Sequence, residues 1–382
     1  MLTSNNGDTY IGHDRYLVLE MLGYGANGTI YLSKDISNGE LVAIKELKRN
    51  DLNPRERKIQ DLEAYFHQIL SESNHVVNLY DTVEDEDALY LVMEFCEHGD
   101  LFEFVVRQTV QQRLDNIQLN KKLIKQVILA VIDCHNKGIY HRDLKPENCM
   151  LSGDGFEVRL GDFGLSTDEI ISNDYGCGSA CYMSPECNIL SQDKGHGFNT
   201  IKNDVWSLGI IMINVMCGLN PWKQACIEDE AFVAYLRNPL YLYETLGISH
   251  DFYLILKDVL QIDPENRISL EELLYRVENC THFLKLQPLD ENVATTNNTT
   301  QLKAPLSISI DSASLSNFED EVYYSDSCHS LSSPTNPIFD LLPGEPRFDK
   351  DNMLAMYFDE GIGSSSAGNN HHSYIDLIES DY

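Results

Sequence analysis

His141-Arg142-Asp143-Leu144-Lys145-Pro146-Glu147-Asn148, followed by Asp162-Phe163-Gly164, is the stretch on which the reading of this chain turns. The octapeptide brings three kinds of polar chemistry into one short loop. Asp143 can orient a hydroxyl nucleophile and accept its proton. Lys145 can offset the charge of a transferring phosphoryl group. Asn148 can offer its amide oxygen to a metal, and Asp162 adds a carboxylate, the kind of hard donor that suits Mg²⁺. An expected hairpin over residues 150–160 separates the two motifs and folds the second back toward the first. A merely charged surface loop would not be expected to carry this ordered set.

Upstream lie two more polar motifs on an apolar, strand-like background. Gly23-Tyr24-Gly25-Ala26-Asn27-Gly28 is a glycine loop whose backbone can approach a phosphate closely. A strand, residues 29–33, follows it directly, whereas the dinucleotide-binding form of such a loop opens a helix. Val42-Ala43-Ile44-Lys45 then places an ammonium on the next strand. A lysine flanked by apolar residues can sit over bound phosphates if a carboxylate holds it. Glu63, on a helix expected over residues 54–70, is the first candidate for that partner and Glu56 the fallback. Strands are expected over residues 16–22, 28–33, 41–47, 76–83 and 88–95, with Asn38-Gly39 as a hairpin turn. Helical spacing of apolar residues returns over 119–136, 203–217, 251–260 and 270–277. A β-rich first third and a helical remainder define an α+β, two-lobed protein.

Composition excludes several classes. The chain has 382 residues, with 28 Lys and Arg against 60 Asp and Glu, a formal charge of −32. Nucleic acid and anionic membrane surfaces would be repelled. The longest apolar run, residues 208–219, is shorter than the roughly 20 residues a bilayer requires. The N-terminus is polar, so no signal peptide is expected. Ten cysteines form no CxxC pair or regular framework, and Cys177, Cys181 and Cys187 lack partners for a zinc site, which suggests reduced thiols in the cytoplasm or nucleus. Residues 284–382 hold 4 basic and 16 acidic residues, net −12, and are rich in Ser, Asn and Thr. They are expected to form a low-complexity, mostly disordered acidic tail. Acidic-aromatic stretches at 318–324, 338–348 and 353–358 read as docking motifs for regulatory proteins.

The ordered set of motifs resembles the eukaryotic protein-kinase signature over residues 16–283. The match includes Gly23, Gly25 and Gly28, Lys45, His141 to Asn148, Asp162 to Gly164, Ser184-Pro185-Glu186 in place of Ala-Pro-Glu, Asp204 to Gly209, and Arg267. The resemblance implies a small β-rich lobe (about 16–95), a helical lobe (96–283), an N-terminal extension (1–15), and a monomer that uses ATP and Mg²⁺. It implies that Leu22, Gly23, Gly25, Gly28, Ile30 and Ala43 cover the nucleotide. It further implies that Lys45, paired with Glu63, contacts its phosphates. Met93 would be the gatekeeper, Glu94 to Cys96 the hinge, and Asp100 the ribose position. Asp143 and Lys145 would be catalytic, Asn148 and Asp162 metal ligands, Glu186 and Arg267 a structural pair, and Asp204 the tie to the catalytic loop.

Lys145 and the segment Gly178-Ser179-Ala180-Cys181-Tyr182 resemble serine/threonine kinases, with Ser179 replacing the usual Thr. Glu147 and Asp100 match positions that meet upstream Arg in basic-directed members, while the third such position is Asn214. Tyr175 stands where an activating phosphothreonine is usual. Asp174 or the Tyr175 hydroxyl is expected to substitute for it opposite Arg142, with Ser172 and Thr167 as alternative phosphorylation sites. Residues 174–187 are similar to fungal kinases linked to nutrient signalling and repression of meiosis. Retention of Lys45, Asp143, Asn148 and Asp162 argues for an active enzyme over a pseudokinase scaffold.

Overall fold

The computed structural model describes residues 3–5, 8–25, 28–50, 52–154, 156–188 and 197–285. The expected acidic tail falls almost wholly on residues 286–382, outside the described residues. The N-terminal lobe is one seven-stranded antiparallel sheet: β1 (Thr3–Asn5), β2 (Asp8–Ile11), β3 (Tyr16–Gly25), β4 (Gly28–Asp35), β5 (Leu41–Lys48), β6 (Leu79–Glu84) and β7 (Ala88–Glu94). Spatial order is β1-β2-β3-β4-β5-β7-β6. β1 and β2 come from the segment read as an extension, and β2 pairs through Ile11 with Tyr16 at the start of β3. Both of these residues are fully buried in a cluster with Val42, Ile44, Tyr90 and Val92.

Helix α1 (Pro54–Leu70) coincides with its expected span. Its start is written in the sequence: Asn53 accepts from Glu56 N while the Glu56 side chain accepts from Asn53 N, with Pro54 at the first helical position. β6 begins at Leu79, three residues later than expected. The backbone of the preceding segment is used elsewhere: Val77 N donates to Leu160 O and Leu160 N donates to His75 O, at 2.9 and 2.8 Å. This short parallel contact joins the lobes.

The C-terminal lobe comprises α2 (Leu101–Arg107), α3 (Val110–Asp115), α4 (Ile117–Asn136), α5 (Thr200–Cys217), α6 (Glu230–Arg237), α7 (Tyr241–Thr245), α8 (His250–Val259) and α9 (Leu270–Asn279). Two antiparallel strand pairs complete it: β8 (Cys149–Ser152) with β9 (Glu157–Leu160), and β10 (Ile171–Ser172) with β11 (Phe198–Asn199). α4 buries Leu123, Ile124, Val127, Ile128 and Val131 along one stripe. α5 is buried on nearly every face, which explains why its long apolar run is core. Among the described residues no helix is long and apolar enough to cross a membrane. Leu284 and Lys285, grouped with the tail by composition, still pair with Ile248 and Gly247.

Gly209 lies in the middle of α5, where glycine is otherwise a cost of about 1 kcal/mol relative to alanine. A Cβ there would lie 2.7 Å from Val259 Cγ1 and 2.8 Å from Leu260 Cδ2, both in fully buried residues. Overpacking of this kind costs about 1–3 kcal/mol. The Gly209→Ala variant is therefore expected to be destabilised by about 1 kcal/mol net, measured as a lower urea midpoint at unchanged m.

Candidate active site

The cleft is built from β3–β5, the α1 helix, and the loops flanking β8 and β9. Lys45 is 5% exposed, and its Nζ lies 2.6 Å from Glu63 Oε1 and 2.8 Å from Asp162 Oδ1. Glu63 is therefore the carboxylate on α1 that meets Lys45; Glu56 is committed to the helix cap. Burial opposes the Lys45 ammonium, but Asp162 and Glu63 outweigh it and raise its pKa. Burial pushes the Glu63 carboxyl up, with Lys45 opposing.

The roof is set by strand register. Gly23 stands opposite Ile30, Ile30 opposite Lys45, and Ala43 opposite Met93. Gly28 has φ +122°, and a Cβ there would meet Glu46 O at 2.3 Å, so only glycine fits. A Cβ at Gly23 or Gly25 would meet nothing within 4 Å. Leu22 is half exposed. Glu94 N donates to Asn78 O and the Glu94 carboxylate accepts from Asn78 Nδ2, fixing the start of the hinge. Cys96 is buried, and burial pushes its thiol up to about 12. Asp100 caps α2 by accepting from Glu103 N at 2.8 Å.

The catalytic loop hangs from one buried carboxylate. Asp204, fully buried on α5, accepts from His141 N and Arg142 N, each at 2.9 Å, and meets His135 Nε2 at 2.9 Å. These bonds hold Arg142 at φ +65°, a left-handed conformation rare for a residue with a Cβ. Asp143 Oδ1 accepts from Ser179 N at 2.8 Å, and its Oδ2 lies 3.2 Å from Lys145 Nζ. Lys145 Nζ donates to Ser179 Oγ at 3.0 Å, so the serine performs the tie through its hydroxyl. Asn148 Nδ2 donates to Asp143 O at 2.8 Å, which turns its amide oxygen toward other partners. The buried Ser184 hydroxyl, at the departure from Ala-Pro-Glu, donates to Asn203 Oδ1 at 2.9 Å. Glu186 and Arg267 form a bidentate pair, with Arg267 Nη2 at 2.7 Å from Glu186 Oε2. Asn214 is 5% exposed and donates to Asn220, making it a core contact.

In the activation segment Asp174 lies against Arg142. Arg142 Nη1 lies 3.1 Å from Asp174 Oδ2 and donates to Ser172 Oγ at 3.0 Å. Asp174 Oδ1 faces Arg55 of α1 at 3.9 Å. The Tyr175 ring instead packs on Phe198 beside Met183 and Cys187. Ser172 is 1% exposed, and Thr167 pairs its backbone with Tyr140.

Phe163 sits between two histidine rings, with centroids 5.1 Å from His67 and 5.3 Å from His141. His67 was not singled out in the sequence; its place four residues after Glu63, on the same face of α1, was the available signal. Its Nε2 lies 2.7 Å from Val77 O, which can only accept, so Nε2 carries the proton. Burial drives its pKa down to about 4.

The protein kinase domain family matches residues 16–277. The chain is 40% identical over 290 residues to a negative regulator of sexual conjugation and meiosis from Schizosaccharomyces pombe, covering 71% of this chain and 61% of that protein. It is 29% identical over 339 residues to a serine/threonine-protein kinase of Saccharomyces cerevisiae, covering 73% of each. A further serine/threonine-protein kinase of Schizosaccharomyces pombe is 32% identical over 266 residues, covering 66% of this chain and 54% of the relative. The chain belongs to the protein kinase domain family. It spans less than two thirds of the length of the first relative named. Membership implies use of ATP with a divalent metal, generally Mg²⁺. The donor set fits: Asp162 offers a carboxylate and Asn148 an amide oxygen, both hard ligands. Among the described residues no group of three or more His, Cys, Asp or Glu could hold a metal by itself.

Two outcomes are expected. Asp174→Asn removes the charge facing Arg142 and Arg55 and should lower phosphate transfer about tenfold, equivalent to about 1.4 kcal/mol, in a steady-state assay, with Asp174→Glu partly restoring it. For His67, the unfolded chain takes up a proton near the ordinary 6.5 while the folded one resists until about 4. Its contribution is therefore complete above pH 6.5 and is lost as pH falls toward 4, by up to about 3 kcal/mol. A His67→Leu variant should show a flatter fall in denaturation free energy between pH 6.5 and 4 than the wild type.

Proposed function

We propose that the chain is an active protein serine/threonine kinase that transfers the γ-phosphate of ATP to hydroxyls of protein substrates. The observation that carries this reading is the placement of Asp143 against Lys145 and Ser179, beside the buried Lys45–Glu63–Asp162 group. In this reading Leu22, Ile30, Ala43, Met93 and Cys96 enclose the adenine, Asp100 meets the ribose, and Lys45 holds the phosphates. Asp143 accepts the hydroxyl proton as the oxygen attacks phosphorus. Lys145 stabilises the charge on the phosphoryl oxygens while the bond to ADP breaks. A divalent ion held by Asn148 and Asp162 would neutralise charge on the phosphates.

The same proposal includes substrates with basic residues upstream of the target, favoured by Asp100, Glu147 and the net −20 of residues 1–283. It includes activity without loop phosphorylation, supported by the Asp174–Arg142 pair. It includes a nutrient- or meiosis-linked signalling role, of which the meiosis link is supported by the name of the first Schizosaccharomyces pombe relative. Nine described cysteines are free thiols, which supports a cytosolic or nuclear location. The acidic-aromatic stretches of residues 286–382 support docking of regulatory proteins there.

The test is phosphate transfer by the purified full chain to a positional-scanning Ser/Thr peptide library, before and after phosphatase treatment. Transfer is expected to prefer upstream Arg, to survive phosphatase, and to fall by at least about a thousandfold in Asp143→Asn. Equal transfer by Asp143→Asn would overturn the proposal.

A further inference from the structure

Arg49 follows the last residue of β5, four positions after Lys45, so the alternation of a strand directs both side chains to one face of the sheet. It is 4% exposed, which is unusual for a guanidinium and demands counter-charge. Two elements supply it: Asp61 of α1 pairs with Nη2, and Glu84 at the end of β6 lies 2.5 Å from Nη1. Further bonds reach the same point of the strand from α1. Gln60 Nε2 donates to Lys48 O at 3.0 Å, and Arg57 Nη2 donates to Arg49 O at 3.3 Å. Arg49 N is itself fixed by Asp87 O at 2.7 Å.

Asp61 and Glu63 are two residues apart on α1, about 200° around the helix axis at 3.6 residues per turn. One ion pair on one side of α1 leaves its roll about that axis to the packing of Phe66, His67 and Leu70 alone. Two pairs on nearly opposite sides, both anchored on β5, fix the roll. We infer that Arg49 is a positioning residue for phosphate transfer: with Asp61 and Glu84 it sets the rotation of α1 that brings Glu63 to Lys45. The inference rests on the kinase reading for its kinetic consequence, but the clamp itself does not. The carboxylates of Asp61 and Glu84 are more than half exposed, so removing the guanidinium returns them to water and leaves no buried unpaired charge.

The experiment compares the full chain with Arg49→Gln, Glu63→Gln and the double variant, using radiolabelled ATP and the best library peptide. Arg49→Gln is expected to lower kcat/KM for ATP about tenfold. In the Glu63→Gln background the same change should cost less than twofold, because the contact that the clamp serves is already gone. An unchanged kcat/KM, or the same tenfold loss in both backgrounds, overturns the inference; a merely structural role would give the additive result. Hydrogen–deuterium exchange of peptides covering residues 57–70 reads the clamp without activity. It should accelerate at least threefold in Arg49→Gln and in the surface variant Asp61→Asn, the latter serving if Arg49→Gln does not fold. Unchanged exchange in the folded variants also overturns the inference. If the wild type transfers no phosphate, the kinase reading fails, and the exchange result alone decides the clamp.

Discussion

A buried ammonium is the constraint around which this protein is arranged. Removing a charge from water costs several kcal/mol even after relaxation, and the interior returns that only with well-placed counter-charges. Lys45 has two, one from each lobe: Glu63 on α1 and Asp162 after β9. If either carboxylate withdraws, the desolvated cation loses part of its compensation. The mutual position of sheet, helix and catalytic lobe is thereby tied to one ionic group. The capped start of α1, the His67 bond to Val77 O and the packing of His67 on Phe163 all act to keep those carboxylates in reach.

Five described non-glycine residues adopt positive φ, and two of them lie in the catalytic loop and in the Lys45 group. Arg142 and Asp162 both adopt positive φ, at 65° and 58°. Such conformations cost about 1–3 kcal/mol each and persist where surrounding contacts dictate them. At Arg142 the contacts are explicit: Asp204 takes the N–H groups of His141 and Arg142, and Arg142 Nε donates to Leu165 O at 2.6 Å. His141 completes the arrangement, since Nε2 reaches Gly161 O and Nδ1 accepts from Asp143 N. Asp204 and His141 thus act through backbone geometry, and the strained loop is what aims Asp143 at Lys145 and Ser179.

Much of this was legible in the sequence because chemistry and periodicity are local. The span of α1 follows from Asn53, Pro54 and Glu56 at its start and the apolar spacing of Phe66 and Leu70. The same cap decides between Glu56 and Glu63, since a glutamate at the third helical position after Asn is the capping-box signature. What was not legible depends on partners distant in sequence. Val76 and Val77 are apolar and strand-like, yet Val76 N donates to Ser73 O and Val77 N to Leu160 O, so β6 starts late. The short helices α2 and α3 are held by Asp100 and Thr109 caps and by Arg113, which donates to Gln108 O. The strand β2 is polar along most of its length, and only Ile11 carries a core signal. Arg49 reads as one more surface charge until Asp61 and Glu84 are brought to it.

The distribution of charge reconciles an acidic protein with phosphate chemistry. Residues 1–283 carry net −20, which opposes a nucleotide at long range. At physiological ionic strength, exposed charges are screened over about 8 Å, so that repulsion fades within the width of the cleft. Lys45 and Lys145 are mostly buried and each is held by fixed carboxylates, so neither must be ordered when a phosphate arrives. Their charge acts in a low-dielectric setting where it is worth more than on the surface. In the proposed reading the surface anions act on the other participant, a basic peptide, while the fixed cations act on phosphate. The same ion pairs that relieve the cost of burial therefore also keep the site assembled before substrate binds.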